Sequence, residues 1–345
     1  MAFLVGTDEA GYGPNLGPLV ISASVWHVPD DLDNGNNATV PTCLYRRLEA
    51  VVTPAPRRAV GAGMPPVAIA DSKLLYHGGQ GLRLLERGLW AAWWAEQRIL
   101  PDTLATPANG QEKVPGTFAA VWKRLAGESA AGRRAALCDA CDEMPAPLDA
   151  DRQDIHRLGP TFEAALAAAG VRLLGLQSLA IFPAELNEAL RRYGSKGEAL
   201  SRWTLGLLAR VLAPLGDEPI RVVCDKHGGR SHYLPLLVEF FPDCFIQSHG
   251  EGRQRSVYRF GPPHRRVEIC FQAKGESHLP TALASMASKY LRELAMRAFN
   301  TFWGPRVPGL RPTAGYPQDA RRFRDDIAAA QQKLGIEDEI LWRFK

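Results

Sequence analysis

The chain has 345 residues, enough for one large domain or two small ones, and 46% hydrophobic with 23% charged residues suits a globular chain with a sizeable core. No apolar run reaches the length of a membrane span, and the N-terminus meets Asp8 and Glu9 with no basic segment before them, so neither a membrane anchor nor a secretory leader is expected. Six cysteines without disulfide-framework spacing, Cys138 and Cys141 forming the one CxxC, point to free thiols in a reducing, cytoplasmic setting, and a net charge of +4 permits a polyanionic partner without requiring one.

In chain order, Ala2 to Thr7 reads as a short apolar strand that ends in Asp8-Glu9. A glycine-rich loop from Gly11 to Pro18 follows, then a second apolar strand from Leu19 to His27. Two adjacent carboxylates at the end of a buried strand are costly unless a cation or hydrogen bonds compensate them. Residues 29–66, rich in Asn, Gly and Pro, read as a long insertion. Residues 67–70 are a short buried strand, followed by Asp71-Ser72-Lys73 at a helix start. Leu82, Leu85, Leu89, Trp90 and Trp93 fall at helical spacing and form a core stripe. Residues 101–116 read as a loop, 117–137 as a helix, 138–160 as a loop and 161–169 as an Ala-rich helix.

Ser195 and Glu198 have capping-box spacing ahead of the stripe Leu200, Trp203, Thr204, Leu207, Leu208, Val211 and Leu212. Gly216 and Pro219 end that helix, and Ile220 to Cys224 is a strand with Asp225 at its tip. A helix leading to an apolar strand with an acid at its end is the pattern of an α/β layer, in which ligands collect beyond strand ends. Residues 256–260 and 267–271 pair as a hairpin around Gly261-Pro262-Pro263-His264, Pro280 opens a helix to about Asn300, and 318–333 is a surface helix. Arg253, Arg255, Arg259, Arg265 and Arg266 gather with His264, and Arg321, Arg322 and Arg324 gather near the C-terminus. Such runs are either phosphate contacts or solvated faces.

Five segments, in order, resemble the type 2 ribonucleases H, the HII/HIII family: Asp8-Glu9-Ala10-Gly11-Tyr12-Gly13-Pro14 between two strands; Asp71-Ser72-Lys73; Asp225 at the end of its strand; Ala284-Ser285 through Lys289 to Arg292-Glu293 on a helix; and Gly315-Tyr316-Pro317 with Trp342-Arg343-Phe344. The resemblance implies an RNase H-like α/β fold, with a mixed central sheet flanked by helices and a helical C-terminal part. The chain would be one domain over 1–345 with insertions at about 29–66 and 100–180. It implies Asp8, Glu9, Asp225 and Glu293 as catalytic acids holding Mg²⁺ or Mn²⁺. Two such ions can activate water and stabilise the leaving oxygen in phosphodiester hydrolysis. Apart from the resemblance, Asp225 reads as a turn residue and Glu293 as half of an i, i+4 pair with Lys289.

The same resemblance implies substrate contacts at Gly11, Tyr12, Gly13, Ser72, Lys73 and Lys289. The family carries Arg or Lys where this chain has Tyr12, in a loop that reads the ribose 2′-hydroxyl. Tyrosine can stack or donate one hydrogen bond but forms no cationic fork. Glu276, in Lys274-Gly275-Glu276-Ser277, resembles a Gly-Asp position near the family's site and is left outside the metal set. His227, between Lys226 and Arg230, either shuttles a proton or caps a turn. The expected activity is metal-dependent cleavage of the RNA strand of RNA–DNA hybrids or ribonucleotide-containing duplexes, with no membrane and no protein partner implied. The alternatives are a nuclease of the same fold on another nucleic acid, or a non-catalytic nucleic-acid-binding protein.

Overall fold

The computed structural model describes residues 1–29, 43–57, 64–76, 81–100, 113–127 and 141–344. Cys138 and parts of the stretches 29–66, 101–116 and 117–137 lie outside the described residues. The centre is a seven-stranded mixed sheet in the order β5-β2-β1-β6-β9-β8-β7. Its strands are β1 (Ala2–Ala10), β2 (Leu19–Val28), β5 (Arg172–Ile181), β6 (Ile220–Asp225), β7 (Gln247–Glu251), β8 (Arg255–Phe260) and β9 (Val267–Gln272). β1 runs parallel to β6 and β6 parallel to β9, while the other neighbouring pairs are antiparallel. The C-terminal ends of β1 and β6 therefore lie side by side, and Asp8 and Asp225 come to one end of the sheet. Two short parallel strands, β3 (Val52–Thr53) and β4 (Val67–Ala68), pair apart from it.

Helices cover both faces around β1, as the expected mixed sheet flanked by helices requires. Alternation along β1 sends Leu4 to one hydrophobic cluster and Phe3 and Val5 to the other. The Leu4 side packs against α3 (Arg83–Ala95) and the long α9 (Leu279–Trp303). The Val5 side packs against α7 (Lys196–Leu212) and α8 (Leu234–Phe240). α9 approaches β1 so closely that a Cβ on Gly6 would stand 2.1 Å from the Thr281 nitrogen, so only glycine fits there. α10 (Pro317–Leu334) and α11 (Asp338–Leu341) build a smaller third cluster in which Leu16 meets Phe299, Trp303, Phe323 and Trp342. That cluster anchors the glycine loop to the C-terminal helices.

Several elements depart from the sequence reading. The stretch 100–180 is not wholly an insertion, because Arg172–Ile181 is β5, hydrogen-bonded to β2 at the sheet's edge. The helix read as 161–169 starts nine residues earlier: α5 (Arg152–Ala168) is capped by the Asp151 carboxylate, which accepts from the Gln153 N–H. The remaining described helices are α1 (Leu44–Arg47), α2 (Ser72–Leu75), α4 (Phe118–Ala126) and α6 (Pro183–Tyr193).

Candidate active site

At the end of β1, beside the end of β6, Asp8 and Glu9 are half-buried. Burial, with the charges of Asp225 and Glu276 added, pushes the Asp8 carboxyl up to about 7, against a hydrogen bond from Ser285 that pulls it down. Burial and the charges of Asp8 and Asp225 likewise push Glu9 well above the usual carboxylate range, and Lys73 pulls it back. Glu276 is raised by burial, Asp225 and Asp71. The Asp225 carboxylate accepts from the Gly275 N–H at 3.1 Å, and a Cβ on Gly275 would come within 3.1 Å of the Asp225 nitrogen. The Gly275-Glu276 turn thus sits directly over the third acid.

The expected fourth acid, Glu293, has partners of its own. Glu293 lies further along α9, where it accepts from Lys289 Nζ at 2.5 Å and from the Tyr76 hydroxyl at 2.9 Å. The ordinary i, i+4 pair describes it. The acid whose charge acts on Asp8 beside that of Asp225 is Glu276. Lys289 is engaged as well, since its ammonium lies 4.2 Å from the Tyr76 ring centroid.

The helix that carries these two residues holds the site in another way. Ser288 Oγ donates to the Asp8 carbonyl at 3.0 Å and meets Ser22 Oγ at 2.8 Å, and Ser22 meets Ser178 at 2.7 Å. Ser285 Oγ, which donates to the Asp8 carboxylate, lies 3.1 Å from Ser72 Oγ. Ser72 is therefore buried, with its hydroxyl facing protein. Lys73 is exposed: burial lowers its pKa, but the charges of Asp71, Glu276, Asp8 and Asp225 outweigh that and raise it. Its charge in turn lowers the pKa of Glu9 and Glu276.

The glycine loop is held from beneath by two buried arginines, neither of which forms an ion pair among the described residues, although the Glu293 charge acts on Arg292. Arg292 donates to the carbonyls of Leu16, Pro18 and Ala314 at 3.0–3.3 Å. Arg343 donates to Gly11, to Pro14 at 3.2 Å, and twice to Gly17. Gly11 has φ +90°, and a Cβ there would meet the Pro18 oxygen at 2.7 Å, so its role is fixed by backbone. A Cβ on Gly13 meets nothing, which leaves the exposed outer turn open to a ligand. Between them Tyr12 reaches toward the loop after β6: a Cβ on Gly228 would fall 2.8 Å from its hydroxyl, and Gly197 is next to it. Burial and the Glu9 charge raise the Tyr12 pKa.

His227 is packed into the core. Burial, with Arg230 and Lys226 nearby, pushes its imidazole down to about 3. Its Nδ1 lies 3.1 Å from Ser201 Oγ, and its ring packs against Tyr233 and Phe271. The basic run also divides. Arg255 begins β8 at the acid end of the sheet, whereas Arg265 and Arg266 lie in the β8–β9 turn at the other end, Arg265 donating to the carbonyls of Leu215 and Gly216.

The donor set is all carboxylate oxygen, the type that Mg²⁺ and Mn²⁺ take. Among the described residues no three acid, His or Cys side chains converge to enclose one ion. Mg²⁺ keeps several waters and binds through one or two carboxylates, so it needs no such enclosure. The crowded negative charge around Asp8 is what a divalent cation would offset, and in that sense the residues fit the group.

No protein-family model matches the chain, and no curated protein matches it. Among solved structures it is similar to ribonuclease H2 from Pyrococcus horikoshii OT3, at 14% identity and TM-score 0.41 over 98% of this chain and 92% of that one. It is also similar to RNase HII of Archaeoglobus fulgidus, solved with PCNA (14%, TM-score 0.39, 99% and 94%), and to Bst-RNase HIII, solved with Mn²⁺ (13%, TM-score 0.38, 99% and 66%). These are type 2 ribonucleases H, the family that the motifs resemble.

Proposed function

We propose that the chain is a Mg²⁺- or Mn²⁺-dependent nuclease that cuts the RNA strand of RNA–DNA hybrids, with Asp8, Glu9, Asp225 and Glu276 as its ion-holding acids. The observation that carries this reading is the meeting of acids at the ends of two adjacent parallel strands, where burial and mutual repulsion hold Asp8 and Glu9 well above their usual pKa. Acids arranged in that way at a sheet's end are candidates for chemistry rather than for stability. When bound, the ions would supply Lewis-acid stabilisation of the phosphodiester's developing charge and a nucleophile at neutral pH.

The protein's own part is orientation. The Gly275 N–H fixes the Asp225 carboxylate, and Ser285 and Ser288 fix the side chain and backbone of Asp8. Lys73 offers a cation to a substrate phosphate beside the acids. The outer turn at Tyr12 and Gly13 presents a small, accessible surface to a sugar, with Arg343 and Arg292 holding its shape from below. Tyr12 in place of a cation weakens the hold on a single 2′-hydroxyl, which favours continuous hybrids over isolated ribonucleotides.

The test is cleavage of four labelled substrates: an RNA–DNA hybrid, a duplex with one embedded ribonucleotide, RNA alone and DNA alone, each with Mg²⁺, Mn²⁺ or EDTA. Metal-dependent cutting strongest on the hybrid is expected. Cutting that survives EDTA would sink the metal reading, and no cutting of any substrate would leave a binding protein.

A further inference from the structure

One half of the central sheet has an open face. Beneath β6, β9 and β8 the core is filled by Ile220, Val222, Tyr258, Ile269 and Phe271, which pack with residues of α7 and α8. The opposite face carries Arg221 and Asp225 on β6, Glu268 and Gln272 on β9, and Arg255 and Arg259 on β8. None of these six side chains is buried, although Val223, Val257 and Cys270 lie between them on the same face and the last two are buried. Asp225 is in register with Gln272, and Gln272 with Arg255, which places Arg255 two strand spacings, about 10 Å, from the third acid.

The cations here are only partly neutralised. Arg259 pairs with Glu268 at 2.6 Å. Arg255 is exposed and directs Nε to Cys270 Sγ at 3.1 Å; neither it nor Arg221 forms an ion pair among the described residues. Arg221 also borders a cavity of about 240 Å³ lined further by Ser277 and His278, the residues that follow Glu276.

We propose that this face, with Arg255 and Arg221 as its contacts, binds the sugar–phosphate backbone of the nucleic acid where it leaves the acid cluster. The inference rests on the nuclease reading above. A strand crossing the end of the sheet at Asp8 and Asp225 has the glycine loop on the β1–β2 side, and on the other side it must pass β9 and β8. What it meets there is Arg255 at the acid end and, four residues down β6 beside Glu268, Arg221, two guanidinium groups that form no ion pair among the described residues, and a planar guanidinium fork matches phosphate. β7 and β8 extend the sheet beyond β9, so the open face widens in that direction.

The experiment is fluorescence anisotropy of a labelled RNA–DNA hybrid in EDTA, across a range of salt, for the wild-type chain, Arg221→Gln, Arg255→Gln, the double variant, and Arg321→Gln on exposed α10 as a control. Removing one arginine–phosphate contact should flatten the salt slope by about 0.9 on a log–log plot, so the double variant should lose close to two units of slope and about tenfold or more in affinity at low salt. Arg321→Gln should keep both. A double variant with the wild-type slope, or an equal loss in Arg321→Gln, overturns the proposal. Metal-dependent cleavage in the same samples separates the two readings. A wild-type protein that binds with Arg-dependent slope but never cuts overturns the nuclease and leaves this surface standing. One that cuts while the double variant binds normally overturns the surface and leaves the acids. Absence of any hybrid binding overturns both.

Discussion

Glu276 and Glu293 belong to one stretch of chain, the first just ahead of α9 and the second in its middle, and their surroundings differ sharply. Glu293 is neutralised by Lys289 and hydrogen-bonded by Tyr76. Glu276 faces Asp225 and Asp71, with burial and these like charges raising its pKa and only Lys73 opposing them among side chains. A carboxylate with its own cation is already satisfied, whereas one held among like charges remains available to an external cation. The contrast is the ground on which Glu276 rather than Glu293 is proposed as the fourth acid.

The largest expected effect breaks or confirms that contrast. Asp8→Asn and Asp225→Asn should each lower metal-dependent cleavage by about 100-fold or more, since ion-mediated stabilisation is worth several kcal/mol and each 1.36 kcal/mol is tenfold in rate. Glu276→Gln should also fall steeply. Glu293→Gln should stay within about threefold of wild type, because a partly exposed pair contributes about 0.2–1 kcal/mol to stability. Single-turnover rates with saturating Mg²⁺ measure this, and a Glu293→Gln variant as inactive as Asp8→Asn would restore Glu293 to the metal set.

Next comes the loop's support. Arg343→Ala leaves the carbonyls of Gly11, Pro14 and Gly17 without their donor, and hydrogen bonds to charged groups contribute about 1.5–3 kcal/mol each. A loss of about 3–5 kcal/mol is the expected total, similar to breaking a buried charge network. Arg343→Lys, which offers one ammonium in place of a fork, should fall between. Thermal unfolding decides, and an unchanged midpoint in Arg343→Ala would mean that the C-terminal tail does not hold the glycine loop.

Much of the fold was legible because the elements that place the acids have strong local signals. β1, β2 and β6 are apolar runs that stop at acids or turns, and Ser195 caps α7 through the Glu198 N–H as its spacing predicts. β5 was missed because it is buried along nearly its whole length and so lacks alternation, with Gly175 in its interior. β7 was missed for the opposite reason: every residue from Gln247 to Glu251 is exposed, and only pairing with β8 makes it a strand. The start of α5 is polar and the helix contains Pro160, both of which argue locally against a helix. Of the site, Asp8 and Glu9 stand out as a carboxylate pair at a strand end, whereas Asp225 alone reads as a turn residue, because only the parallel pairing of β1 with β6 brings it beside them. Glu276 sits in a short turn with no periodicity, and its only local clue was the preceding Gly275. The i, i+4 spacing of Lys289 and Glu293 was itself the sign that Glu293 was already paired.

The acid cluster also sets a pH dependence of the metal-free protein. Burial and the neighbouring acid charges push the Asp8 carboxyl up from its ordinary 3.8 to about 7 in the folded chain, so between these values the folded chain holds the extra proton. This group's contribution to stability is therefore complete below about pH 4 and is lost as pH rises to 7. Without metal, the unfolding midpoint should be higher at pH 5 than at pH 7.5, and Mg²⁺ should recover part of the difference at the higher pH. Asp8→Asn should flatten the profile and unfold at a higher temperature than wild type at pH 7.5, by a few degrees at about 2–4 °C per kcal/mol. Parallel profiles for wild type and Asp8→Asn would show that Asp8 carries no such strain.

The smallest expected effect concerns Tyr12, where the loop meets both the acids and the substrate. Its hydroxyl end rests by Gly228 and Gly197, and the Glu9 charge reaches it. An arginine there would find Glu9 as a partner and would offer the substrate a charged donor. A hydrogen bond to a charged group contributes about 1.5–3 kcal/mol and a neutral one about 0.5–1.5. The difference corresponds to roughly tenfold in selectivity. Wild type should therefore cut continuous hybrids faster than a duplex with one embedded ribonucleotide, and Tyr12→Arg should shift that ratio about tenfold toward the latter. Glu9 sharpens the test, since in a Tyr12→Arg, Glu9→Gln double variant the arginine is free of its acid partner. If the arginine reads the sugar directly, the ratio of rates on the two substrates should persist in the double variant even as both rates fall. A ratio that reverts to wild type when Glu9 is neutralised would mean that residue 12 acts through the acid cluster, and an unchanged ratio in Tyr12→Arg itself would remove this position from substrate choice.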